Sequence, residues 1–214
     1  MLEQNELDIQ LQNAFETCQV KPEDQTTLLS YLDLLMTKSP ITKLHGEHSI
    51  RVGLKTREIG EFLHMDQKAS LFAGLVHDIG KYQVPLEVLG KTYGWSTQDA
   101  QIIQSHVMDG YNLIKNRFGF TADIIVLHHY FQPNGYPKEL PPYLRSYPQD
   151  TQALILEHGR MLALADVYDA LHREKYNSGE KIVLTDSEIR EQMLLLNKDK
   201  EQLVEDLYKA GILK

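Results

Sequence analysis

Apolar residues recur at helical spacing along nearly the whole chain, and two-residue alternation of β-branched positions is almost absent. Residues 5–18 carry Leu7, Ile9, Leu11 and Phe15 in a loosely amphipathic pattern. Lys21-Pro22-Glu23-Asp24 opens a second helix, with proline early and acids in the first turn. It turns Leu28, Leu29, Leu32, Leu34 and Leu35 inward and ends near Ser39-Pro40. A third helix, residues 46–63, places His48, Val52, Ile59 and Leu63 on one face. Asp66 caps a fourth, whose small and apolar run 71–76 finishes in His77-Asp78, with Gly80 placed as the stop. After a connector over 82–95, Ser96 and Asp99 nearly match a capping box. They open a helix that turns Ile102, Ile103, His106 and Leu113 toward the core. Thr121-Ala122-Asp123 starts a further helix that closes on His128-His129, and 131–137 is turn-rich. Beyond a Pro-rich connector to about residue 150, a long helix carries Asp166 and Asp169 on one face, with Ala163 and Ala170 on the same side. Two amphipathic helices over 184–214 complete a fold of all-α class.

Composition narrows the setting. With 214 residues and 42% hydrophobic content, one sizeable core is expected. Residues 1–43 read as an N-terminal helical segment packed on it, and 44–214 as the domain that carries the chemistry. No window has the apolar length of a membrane span, and the N-terminus is too polar and acidic for a signal peptide. The single cysteine, Cys18, excludes an internal disulfide and suits a reducing compartment, so a cytoplasmic location is expected. A net charge of -8 argues against duplex nucleic acid as a partner; a small phosphorylated ligand needs only a local positive site.

The polar residues predicted to point inward are His48, His77, Asp78, His106, His128, His129 and Asp166. A lone histidine on an apolar face is usually a hydrogen-bonded core residue, and an HD dipeptide arises often by chance. Adjacent histidines closing an apolar run are harder to explain as packing. Burying such groups is costly unless something compensates them, and a metal cation does so best. Five imidazoles and two carboxylates are too many for one ion. They suit two octahedral ions that share a bridging carboxylate. Without thiolate, iron or manganese is favoured, then cobalt or nickel, with zinc suited less well. Lys81, one turn after His77, adds a cation beside the pair. His45, His64, His158 and His172 fit no common face and are assigned to the surface.

The ordered series, His48 with Arg51, His77-Asp78 with Lys81, His106, His128-His129 and Asp166, resembles the HD superfamily of metal-dependent phosphohydrolases. The likeness covers roughly residues 44–211. It is closest to the HD-GYP branch, whose members degrade cyclic di-GMP. Gly135-Tyr136-Pro137 stands where that branch carries its signature, and the run 166–171, DVYDAL, matches closely. The sequence departs from the pattern at several places. Tyr130 replaces the usual Glu after the paired histidines, and the following loop is about one residue shorter. Leu44 replaces the Glu found in three-metal members, and the usual Arg-Pro-Tyr is reduced to Lys175-Tyr176.

The resemblance implies an HD-domain helical bundle with extra N-terminal helices. One ion would be held by His48, His77, Asp78 and Asp166, the other by Asp78, His106, His128 and His129. A water activated between the ions would attack phosphorus. Lys81 would neutralise a non-bridging oxygen. Asp78 and Asp169 complete the catalytic set, Asp169 orienting Lys81 or the water. Arg51, Lys81, Tyr136, Arg173 and Lys175 would contact substrate. The implied reaction opens cyclic di-GMP to the linear dinucleotide. Three alternatives stand beside it: a one-metal nucleotide or ppGpp-type hydrolase, a di-iron oxygenase, and a catalytically weak partner-binding module. The partner would be a diguanylate cyclase domain, and a homodimer is also considered.

Overall fold

The computed structural model describes residues 4–173, 175–177 and 180–214. Helices α1 (Gln4–Thr17) and α2 (Pro22–Lys38) lead into α3 (Pro40–Phe62). Leu7, Leu11 and Phe15 of α1 and Leu28, Leu32 and Leu35 of α2 join one apolar core with Val52 and Ile59 of α3. Leu29, predicted to face inward, is 41% exposed. The seam runs through positions 28, 32 and 35, and residue 29 falls beside it.

Helix α3 begins six residues earlier than the apolar pattern announced, because its start signal is polar. The Ser39 hydroxyl accepts from the Thr42 amide at 3.1 Å, and the Thr42 hydroxyl accepts from the Ser39 amide at 3.0 Å. Pro40 occupies the first turn, where its missing N–H costs nothing. One continuous helix therefore carries residues on both sides of position 44.

Helix α4 (Gln67–Val76), capped by Asp66 as predicted, crosses α3 at two glycines. A Cβ on Gly74 would lie 2.4 Å from the Gly53 Cα, so the backbones themselves touch. That close crossing brings His48 and the end of α4 to the same place. A 3-10 turn (Ile79–Gln83) and the short α5 (Leu86–Leu89) follow.

The helix predicted to open at Ser96 is broken in two, α6 (Thr97–Gln104) and α7 (His106–Ile114). At the break the Ser105 hydroxyl, with its one proton, lies within hydrogen-bond reach of the Ile102 carbonyl and the Asp109 carboxylate, at 3.0 and 2.8 Å. Ile102 and Ile103 consequently pack on a satellite cluster of Val84, Val88 and Leu89 instead of the main core.

Helix α8 (Gly119–Ile125) ends before His128, which lies with His129 in the turn that follows. Helix α9 (Gln149–Leu171) runs through the middle of the core. An antiparallel hairpin of β1 (Lys175–Asn177) and β2 (Glu180–Ile182) was not anticipated, its strands being too short to show alternation. Helices α10 (Asp186–Leu196) and α11 (Glu201–Lys209) close the chain. Among the described residues no helix is long and apolar enough to cross a membrane.

His158 is a correction to the surface assignment. It is buried on α9, with its ring hydrogen-bonded to the Ser70 hydroxyl at 3.1 Å.

Candidate metal centre

The seven predicted ligands converge. Helix α3 supplies His48, the end of α4 supplies His77 and Asp78, and α7 opens on His106. The turn after α8 supplies His128 and His129, and α9 supplies Asp166.

Asp78 sits between two sets of imidazoles. Its Oδ2 lies 3.5 Å from Nε2 of both His48 and His77. Its Oδ1 lies 3.3 Å from His106 Nε2 and 3.8 Å from His128 Nε2. Asp166 Oδ1 joins the first set, 3.1 Å from His48 Nε2 and 3.8 Å from His77 Nε2. His129 joins the second, within ligand reach of Asp78, His106 and His128.

A single local device orients three of these rings. Nδ1 of His77, His106 and His128 lies 2.8, 2.5 and 2.6 Å from the carbonyl three residues earlier, of Gly74, Ile103 and Ile125. A carbonyl only accepts, so each ring donates its Nδ1–H and turns the Nε2 lone pair inward. His48 uses a carboxylate for the same purpose, with Nδ1 2.7 Å from Asp169 Oδ2.

The arrangement calls for cations. Nε2 of His48 and of His77, Oδ1 of Asp78 and Nδ1 of His129 are buried without a hydrogen-bond partner. His106 and His128 bring their Nε2 atoms to 3.2 Å. With both Nδ1 protons already donated, two lone pairs face each other there. Left unmade, such contacts are expensive, and divalent ions would satisfy them together. The donor set, imidazole and carboxylate, fits such ions.

The electrostatics agree. Burial pushes the Asp78 carboxyl up, but Lys81, His77 and His106 outweigh it and hold the group well below the usual range. Asp166 follows the same pattern, with His48 and His77 overriding burial. Burial keeps His128 well below its ordinary value, reinforced by His129. It lowers His129 to about 4 against the pull of Asp166. Both rings are thus neutral at physiological pH, as ligands must be. For His77, burial is outweighed by Asp78 and Asp166, and the net shift is upward.

The surrounding residues divide. Lys81 Nζ lies 2.5 Å from Asp78 Oδ2. Asp169, predicted to orient Lys81 or the water, instead receives Arg51 in a two-point contact, Nε to Oδ1 at 2.6 Å and Nη2 to Oδ2 at 3.0 Å. The one-turn step from His48 to Arg51 on α3 matches that from Asp166 to Asp169 on α9. Asp169 therefore faces the α3 cation, not the one after α4. Tyr136 packs its ring on His129, centroids 4.6 Å apart. Gly135 permits this, since a Cβ there would meet the Tyr130 carbonyl at 2.2 Å. Arg173 lines a cavity beside Arg51, and the side chain of Lys175 lies outside the described residues.

His45 was missed. One turn before His48, it is half-buried, with Nδ1 enclosed and unpartnered. Burial and then Lys81 lower it to about 2. Leu44 is 61% exposed.

Comparison with known proteins places this geometry. The model of the HD domain family matches residues 46–171. A 3'3'-cGAMP-specific phosphodiesterase 2 of Vibrio cholerae is 30% identical over 157 residues, 70% of this chain and 28% of that protein. The cyclic di-GMP phosphodiesterase response regulator RpfG of Xanthomonas campestris is 33% identical over 104 residues, 46% of this chain and 25% of that protein. The chain thus spans about a quarter of the length of these relatives. Among solved structures, the HD domain of the L. monocytogenes phosphodiesterase PgpH aligns with a TM-score of 0.54 at 22% identity. That match covers 79% of this chain and 83% of that one. The same domain in complex with cyclic-di-AMP aligns with a TM-score of 0.52 at 21% identity, covering 80% and 82%. These two likenesses speak to the fold. The chain belongs to the HD domain family.

Proposed function

From its place in the HD domain family, we propose that this chain is a metal-dependent phosphodiesterase that opens a cyclic dinucleotide and releases mainly the linear product. The observation that carries the reading is Asp78, whose two oxygens face separate imidazole sets while Lys81 rests on one of them.

His48, His77, Asp78 and Asp166 would hold one ion, and Asp78, His106, His128 and His129 the other. Iron or manganese suits the donors best. Leu44 supports two ions over three, because an exposed leucine offers no ligand. When bound, such ions supply Lewis acidity to phosphoryl oxygens and make water acidic enough to attack near neutral pH.

The chain's own groups do the rest. Lys81 spends one proton on Asp78 and has others for a non-bridging phosphoryl oxygen, where negative charge grows in the transition state. Arg51 and Asp169 fix the His48 ring, so Arg51 acts first as a positioning residue. Tyr136 covers His129 and shields one side of the cluster from water. Cyclic dinucleotides are the substrate class because the similar proteins act on 3'3'-cGAMP or cyclic di-GMP, and a structural neighbour was solved with cyclic-di-AMP.

A product time course tests this. Protein reconstituted anaerobically with iron or manganese is offered cyclic di-GMP, 3'3'-cGAMP and cyclic-di-AMP, and products are separated by chromatography. Linear dinucleotide accumulating ahead of mononucleotide is expected. Failure to cleave any of the three by fully metallated protein would overturn the function. Rapid conversion to mononucleotide would overturn the first-step preference.

A further inference from the structure

Helices α1, α3 and α9 border a half-open cavity of about 460 Å³, which shares only Arg51 and Asp169 with the metal-facing chemistry above. This volume lies in the roughly 300–1,000 Å³ range typical of small-molecule sites. Leu7 of α1 and Leu54 of α3 form an apolar part of its lining. Tyr168 of α9 adds an aromatic ring to the lining. Its ring packs on His172 with centroids 4.3 Å apart, and its hydroxyl donates to the Lys214 carbonyl at 3.0 Å. The aromatic surface is thereby fixed before any ligand arrives.

Three cations, Arg51, Lys55 and Arg173, border the same space against two carboxylates, Asp169 and Glu58, so one positive charge is in excess and Arg173 carries it. Lys55 Nζ is held 2.6 Å from both the Ile212 carbonyl and the Glu58 carboxylate, and 5.6 Å from the Tyr168 ring centroid. Arg51 commits Nε and Nη2 to Asp169, which leaves Nη1 for another acceptor. A fixed ring, an apolar lining and clustered cations suit a ligand with a planar body and an anionic end. Glu58 at the lining can accept from a sugar hydroxyl.

We propose that this cavity is an accessory site for a purine nucleoside monophosphate, separate from the metal-facing cluster. Leu7 and Gln10 of α1 lie outside the segment that matches the HD family and supply part of the lining. The site needs neither bound metal nor turnover, which separates its test from that of the proposed activity.

The experiment is equilibrium dialysis of radiolabelled GMP and AMP against the full chain in excess chelator, where no hydrolysis can occur. Saturable binding of one nucleotide per chain is expected. Gln10→Trp, which fills the cavity from its half-buried rim, and Arg173→Ala should each weaken it at least about tenfold. Lys81→Ala, beside Asp78 and not in the cavity lining, should leave it unchanged. Should Gln10→Trp fail to give a cooperative melt, Arg173→Ala decides. Absence of saturable binding up to millimolar nucleotide would overturn the proposal. So would binding that survives Arg173→Ala and is lost in Lys81→Ala.

Discussion

Replacing Gly80 with alanine tests how the second imidazole set is positioned. A Cβ at this position would lie 1.9 Å from the His106 carbonyl oxygen, 2.6 Å from the Gly110 amide nitrogen and 2.7 Å from the His106 carbonyl carbon. Ordinary contact begins near 3.4 Å, so the start of α7 must retreat by about 1.5 Å. Every atom in the way is backbone, and no side chain can swing aside. Overpacking of this kind costs on the order of 1–3 kcal/mol, and an all-backbone clash belongs at the upper end. For a chain of this length that lowers the melting temperature by roughly 6–12 °C. The larger effect is local. His106 Nε2 is 3.3 Å from Asp78 Oδ1, and a shift of that size takes it out of ligand reach. A misplacement of about 1 Å already costs on the order of 100-fold in rate. Thermal melts and elemental analysis of Gly80→Ala should show a destabilised protein that has lost the ion of the His106 set. Gly119→Ala, whose Cβ would meet only a Leu144 methyl at 3.5 Å, should behave like wild type. A Gly80→Ala protein with an unchanged melt and full metal content would refute the reasoning.

Asp169→Asn should weaken metal binding about 10–100-fold by loosening the His48 ring, measured by competition with a chromogenic chelator; unchanged affinity would remove Asp169 from the metal's support. Lys81→Ala should lower kcat by orders of magnitude while KM and metal content change little; a proportionate rise in KM alone would make Lys81 a binding group. The melting temperature of metal-free protein should fall as pH drops from 7.5 to 5. His45, His128 and His129 are all shifted below their ordinary value of 6.5, so their contribution is complete above 6.5 and is lost as pH falls toward their folded values, about 4 for His129. His77, shifted upward, opposes them with stability that is present below 6.5 and lost as pH rises through its folded value. A melt that is flat or rises toward pH 5 would contradict this balance.

The helices and the convergence of the seven polar residues were legible because an inward polar residue on an apolar face is a local anomaly. His48 stands out against Val52 and Ile59 without knowledge of any other helix. What was hidden depends on partners far along the chain. Asp169 meets Arg51 across 118 residues, and no pattern within one helix names that pairing. Gly80 read as a helix stop, yet its φ is not in the left-handed region and its need is room for the His106 carbonyl. His158 looked like a surface residue because its partner, Ser70, lies on another helix. The break at Ser105 was masked by apolar residues that continue in register across it. A hydroxyl bonding its own backbone is the signal that was passed over.

The central proposal is that the Asp78 carboxylate would serve two metal ions, each completed by its own histidines. Elemental analysis of anaerobically purified and reconstituted protein, set beside His48→Ala and His128→Ala, tests it most directly. The account predicts two ions per chain in the wild type and loss of one in each variant, from different sets. A folded wild-type protein that binds one ion or none would contradict it.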